Sequence, residues 1–133
     1  MDLTLEQAQH AIAAAIAAAG ERGLQLSIAV CDRGGRLLAF ARMDQAGWGS
    51  VYGAQGKAVA SAATGAPSGR IPADLPVMVA TAQRDGGHMI FAQGAMPIHR
   101  DGQLVGAIGV GGARSAQDDE DCARAGADAV AAL

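Results

Sequence analysis

Leu5, Ala8, Ile12, Ile16 and Ala19 recur at spacings of three and four, the period of a helix with one apolar face. Thr4-Leu5-Glu6-Gln7 reads as a capping box at its start, and Gly20 and Gly23 supply the left-handed stop. The period then changes to two. Leu24, Leu26, Ile28 and Val30 alternate with Gln25, Ser27, Ala29 and Cys31, a strand; Asp32-Arg33-Gly34-Gly35 has the chemistry of a hairpin turn and Arg36 to Arg42 returns as the partner. Ser50 is placed to cap a second helix that Gly65-Ala66-Pro67 ends, and a short third helix is expected over Ala73 to Gln83, with Pro76 in its first turn. Three strands follow, His88 to Ala92, Ala95 to His99 and Gln103 to Gly111, the last two joined through Asp101-Gly102. Ser115 opens a final helix whose first turn carries Asp118, Asp119, Glu120 and Asp121, where the helix dipole favours acids, and whose apolar stripe is Cys122, Ala125, Ala129, Val130 and Leu133. The expected order is αββααβββα: an α+β fold with a single antiparallel sheet of about five strands and flanking helices, in one domain spanning residues 1–133.

Composition changes this picture in one respect. Alanine (32) and glycine (19) dominate the 133 residues, and the aromatics are only Phe40, Trp48, Tyr52 and Phe91, so elements must approach backbone to backbone. The net charge of −3 and the scattered basic residues leave no electrostatic footprint for nucleic acid. No apolar run reaches the ~18 residues of a membrane span, and an acidic N-terminal stretch stands where a signal peptide needs basic residues, which reads as a soluble cytoplasmic protein. Cys31 and Cys122 each fall in an apolar pattern and read as reduced core thiols.

Candidate chemistry is sparse. The strand Gln103 to Gly111 is followed by Gly112 and a capped helix, yet Arg114 stands where a dinucleotide fingerprint needs its third glycine, and no P-loop lysine follows. Gly106, Gly109 and Gly111 instead leave a bare strand on which a helix or a ligand can sit. Lys57 is the only lysine beside nine arginines, and Gly53, Ala60, Ser61 and Thr64 share its helix face. Its amine is a candidate anchor for a carboxylate or an activated nucleophile. His10, His88 and His99 have no local metal spacing, but one imidazole suffices for a haem iron. Asp32, in the hairpin turn, is a turn former or a pocket acid.

Taken together, Met96-Pro97-Ile98-His99-Arg100-Asp101-Gly102-Gln103-Leu104-Val105-Gly106-Ala107-Ile108-Gly109-Val110-Gly111-Gly112, with Gln117-Asp118 and Ala125-Gly126, resembles the GlcG/HbpS-like haem-binding family, which is related to the C-terminal domain of PduO-type proteins. Leu3 to Ala8, Ser27 to Asp32 with Gly34-Gly35, Leu37 to Phe40, and Lys57-Ala58 agree with it. The resemblance implies a profilin-like α+β fold, homo-oligomers, and a pocket that in some members takes haem or a corrinoid-related ligand. Three departures stand out: Gln93-Gly94-Ala95-Met96 replaces a more usual Gly-Gly-Gly-Leu run, His99 occupies a position that is often Arg or apolar, and the Ala66 to Pro72 loop differs in detail.

The leading expectation is a small-molecule binder of haem or a related planar ligand, lined by Lys57, Pro97, Gly106, Gly109, Gly111 and Gly112, with His99 or His10 on the iron. The alternative is a cofactor-free catabolic enzyme, an isomerase, hydratase or decarboxylase acting on a small carboxylate or oxo-acid. Lys57 would anchor or activate the substrate there, Asp32 or His99 would move the proton, and backbone N–H groups around Gly109 to Gly112 would hold negative charge. An oligomeric accessory protein without a ligand is the third reading. Both the binder and the enzyme require Lys57 and the glycine strand to face one cavity.

Overall fold

The computed structural model describes residues 2–133. Its elements in chain order are α1 (Leu5–Glu21), β1 (Ser27–Asp32), β2 (Leu37–Arg42), α2 (Ser50–Thr64), a 3-10 turn (Ser68–Arg70), α3 (Pro76–Arg84), β3 (Ala95–Arg100), β4 (Gln103–Gly111) and α4 (Ala116–Ala131). The four strands form one antiparallel sheet in the order β2-β1-β4-β3. The α+β class, the single antiparallel sheet and the helix placements stand as expected; the sheet has four strands where about five were anticipated.

The missing strand is His88 to Ala92. Its backbone pairs with a helix: the Ile90 N–H donates to the Gly56 carbonyl at 3.0 Å, and the Ile90 side chain fills the space where a Gly56 side chain would stand. The segment after Gly86-Gly87 that reads as a strand instead makes contact with α2. Pro97, in the neighbouring β3, has no N–H to donate and fits the edge strand it occupies.

The helices lie in two layers. On one face α1 and α4 cover Leu26, Ile28, Val30, Ile98, Ile108 and Val110, all fully buried. Gly126 lets the two helices meet, since a methyl group there would overlap Ile108 and press on the Ala11 carbonyl. On the other face α2 alone packs Ala54, Ala58 and Ala62 against Ala29, Cys31 and Ala107. That layer is thin because its parts are small, and its closeness depends on Gly109 and Gly111, whose missing side chains make room for the α2 backbone at Ala54, Ala58 and Ser50.

Helix ends follow the local chemistry, with one exception. Thr4 and Gln7 form both bonds of the capping box, Ser115 caps α4 by accepting from the Gln117 N–H, and Pro76 opens α3. Ser50 does not cap α2. Gly49 holds that position, and the Ser50 hydroxyl donates to the Gly47 carbonyl at 2.6 Å and lies 2.7 Å from the Ser27 hydroxyl. The apolar stripes hold in their centres and fail at their ends: Ala8, Ile12, Ala19, Cys122 and Val130 are buried as expected, Leu5 and Leu133 are exposed, and Ala11, Ala15, Ala123 and Gly126 join the buried face.

Candidate functional site

Lys57 is buried, at 6% exposure, in the middle of α2. Its ammonium lies 3.4 Å from Asp119 Oδ2, at the start of α4, and donates to the Gln93 carbonyl, also at 3.4 Å. The other carboxylate oxygen, Asp119 Oδ1, accepts from the Ala113 N–H at 3.1 Å. Gly94 closes the group, because any side chain there would strike the Lys57 amine, the Val110 carbonyl and Asp119. The pair therefore ties α2, α4 and the strap before β3 into one knot. Burial dominates the electrostatics on both sides, pushing Lys57 below its ordinary 10.5 and Asp119 above its ordinary 3.8, while their mutual attraction opposes each shift.

Asp119 is the residue that sequence reasoning missed. It was counted among four acids that suit a helix N-terminus. Its spacing, however, puts it on the buried stripe of Cys122, Ala123, Gly126 and Val130, and an acid on a buried stripe needs a cation. The single lysine was the available one.

The glycine strand does not open onto Lys57. The space over Gly109 and Gly111 is taken by α2, and that over Gly106 by the Cys31 carbonyl and Leu3. Gly112 is exposed at the β4–α4 turn, and the next N–H is already held by Asp119. The Val110 N–H is likewise spent, on the Gly94 carbonyl. The shared cavity expected from sequence is thus replaced by direct helix-on-strand packing. Pro97 is buried in β3.

Lys57, Asp32 and His99 are not brought together. Lys57 stands against Gly94, at the start of β3, whereas His99 lies five residues beyond, about 16 Å of extended strand. The Asp32 carboxylate accepts from the Gly34 and Arg36 N–H groups at 2.8 and 3.0 Å, which is turn-forming work. His99 is exposed at the end of the edge strand, paired in register with Leu104. His10 is exposed on α1, on the opposite face of the sheet from α2.

The described residues hold one broad groove beside an imidazole. It measures about 630 Å³ and is lined by Thr4, Glu6, Gln7, Gln9, His10 and Leu133, so its walls are polar except at the C-terminal leucine. No cluster of three His, Cys, Asp or Glu side chains suited to a metal ion occurs among the described residues. No helix among them is long and apolar enough to cross a membrane.

The class defined by this geometry is a small α+β domain with one antiparallel sheet between a helix pair and a single helix. Residues 3–128 match the family described as haem degrading protein HbpS-like, and the chain belongs to that family. Among curated relatives, the protein GlcG of Escherichia coli K12 is 37% identical over 104 residues, covering 74% of this chain and 77% of GlcG. Among solved structures, a double mutant of Streptomyces reticuli HbpS superposes with a TM-score of 0.84 at 38% identity, covering 96% of this chain and 86% of that one. Klebsiella pneumoniae protein ORFY gives 0.88 at 27% identity over 98% and 92% of the two chains. A PduOC:heme complex gives 0.85 at 22% identity over 97% and 95%, a likeness of fold.

Proposed function

We propose that this protein binds a small planar ligand of the haem type, with the His10 imidazole as the axial ligand to iron, in a site completed when two copies of the chain meet. Membership of the HbpS-like family supports the ligand class. The observation that carries the assignment within this chain is the open groove at His10, the only one among the cavities described here with a volume above 600 Å³ and an imidazole on its wall. His99 lines none of the cavities described here, and the cavity at His88, about 230 Å³, is small for a macrocycle.

Fit to haem is half supplied by one subunit. The imidazole is present, but a porphyrin face also needs an apolar wall, and here only Leu133 provides one. A second copy supplies the rest. Support for assembly comes from α3, which buries none of its residues and exposes Val77 and Val79, and from Trp48 and Tyr52, which are 71% and 65% exposed in an edge-to-face pair. A nine-residue helix has little stability without packing, so α3 needs a surface to lie on. When bound, haem iron would supply redox and ligand-exchange chemistry, and His10 is the residue of this chain that would hold it.

Hemin titration followed at the Soret band tests the assignment. His10→Ala is expected to weaken binding by about tenfold or more, the worth of one good ligand bond, while His99→Ala leaves the titration unchanged. Equal titrations of native and His10→Ala protein would remove His10 from the iron, and absence of any Soret shift would remove haem.

A further inference from the structure

The sheet guards one of its edges and not the other. On β3, Pro97 has no N–H to offer and the polar pair His99 and Arg100 ends the strand, features that discourage a further strand from adding. At the opposite edge, β2 reads Leu37-Leu38-Ala39-Phe40-Ala41-Arg42, with no proline, glycine or lysine, and Leu37 is 51% exposed. An unguarded apolar edge is a template for another strand.

The free backbone groups of that edge follow from the pairing on its inner side. The Met43 N–H donates to the Leu26 carbonyl at 2.9 Å, Ile28 stands opposite Ala41, and Val30 stands opposite Ala39. Antiparallel ladders alternate, so Ala39, Ala41 and Met43 turn their N–H and C=O groups toward β1, while Phe40 and Arg42 turn theirs away from the sheet.

We propose that β2 pairs antiparallel with β2 of a second copy about a two-fold axis at Phe40, joining two four-stranded sheets into one. The inference rests on the two-copy part of the proposed function and not on its ligand. Charge selects the register. The outward groups of the two strands meet when the axis passes Ala39, Phe40 or Ala41. Centred on Ala39, the pairing sets Arg36 against Arg42 of the second copy; centred on Ala41, it leaves Asp44 opposite Leu38. Centred on Phe40, it sets Arg36 opposite Asp44 of the second copy, and symmetry repeats the contact. Both side chains are exposed, and among the described residues neither belongs to an ion pair within the chain. Leu38 is bulged from the register with β1, and the Arg36 side chain is long enough to reach past it.

The same register carries the β1–β2 turn of one copy to the Asp44–Trp48 end of the other. Asp85, the residue after α3, lines a small cavity with Gly34 and Gly35 of that turn. Exposed α3 of one copy and the Trp48–Tyr52 pair of the other therefore come to the same end of the contact. They add apolar area that two strand edges lack against the ~800 Å² each partner gives a standard interface.

Amide hydrogen exchange on the haem-free protein across a concentration series, with mass followed by light scattering, tests the contact. As the two-copy species forms, exchange at the Phe40 and Arg42 N–H groups is expected to slow by about tenfold or more, while Ala39 and Ala41, already bonded to β1, change little. Arg36→Asp should weaken association about tenfold, and Arg36→Asp combined with Asp44→Arg should restore it. Phe40 and Arg42 amides that exchange freely in a two-copy species overturn the inference and leave the two-copy reading standing. An Arg36→Asp protein that associates as the native one does, or a charge swap that fails to restore association, overturns it likewise. A mass that stays at the single chain throughout overturns both.

Discussion

Lys57 and Asp119 are almost wholly buried, and each is charged at a cost that the other only partly offsets. Removing one partner leaves the other uncompensated. Lys57→Met is therefore expected to lower unfolding free energy by about 3 kcal/mol at neutral pH, read by urea denaturation. The pH dependence of that variant follows from the carboxyl. Its folded pKa is raised above the ordinary 3.8, and further so without the ammonium, so the folded chain takes up a proton before the unfolded chain does. Stability of Lys57→Met should rise as pH falls through the raised pKa toward 3.8, narrowing its deficit against the native protein; a deficit constant from pH 7 to pH 4 would contradict the buried pair.

The α2 helix shows how far the sequence could be read and where it stopped. Its position on a bare strand was legible from Gly106, Gly109 and Gly111, since only closely approaching backbone or a ligand explains three glycines in one strand. Which of the two occupies the strand was not legible, because it depends on where a helix 50 residues earlier returns. Capping at Thr4 and Ser115, Pro76 opening α3, and the Asp-Gly hairpin were local and legible; the His88 to Ala92 segment was not, because a short apolar run is satisfied equally by a neighbouring strand or by a helix with a gap at Gly56. The Lys57 site was half legible: a lone amine on small residues was visible, but its acid lay 62 positions away within a run of acids. Gly109→Ala tests the element's packing. The added methyl overlaps the Ala54 carbonyl and the Ala58 backbone, which cannot move as a side-chain tip can, so a loss of about 3 kcal/mol is expected. A native melting temperature for Gly109→Ala would show that α2 is not held against β4 as described.

At the scale of the whole molecule, the chain presents apolar surface that a single copy does not use. Val77 and Val79 on α3, with Tyr52 on α2 and Trp48 in the turn before it, are the exposed candidates for contact between copies. Val77→Asp combined with Val79→Asp should shift the protein to a single-chain species in light scattering, because a charge at a buried contact costs more than such a small patch contributes. An unchanged mass in that variant would place the contact elsewhere. In the proposed function, ligand binding and assembly are one event, with His10 giving the iron its ligand and a second copy giving the porphyrin its other wall. Sedimentation velocity recorded at the Soret wavelength tests both at once. The account predicts that haem absorbance moves with a species at least twice the 13.2 kDa chain; haem that travels with the single chain, or that fails to sediment with protein, would contradict it.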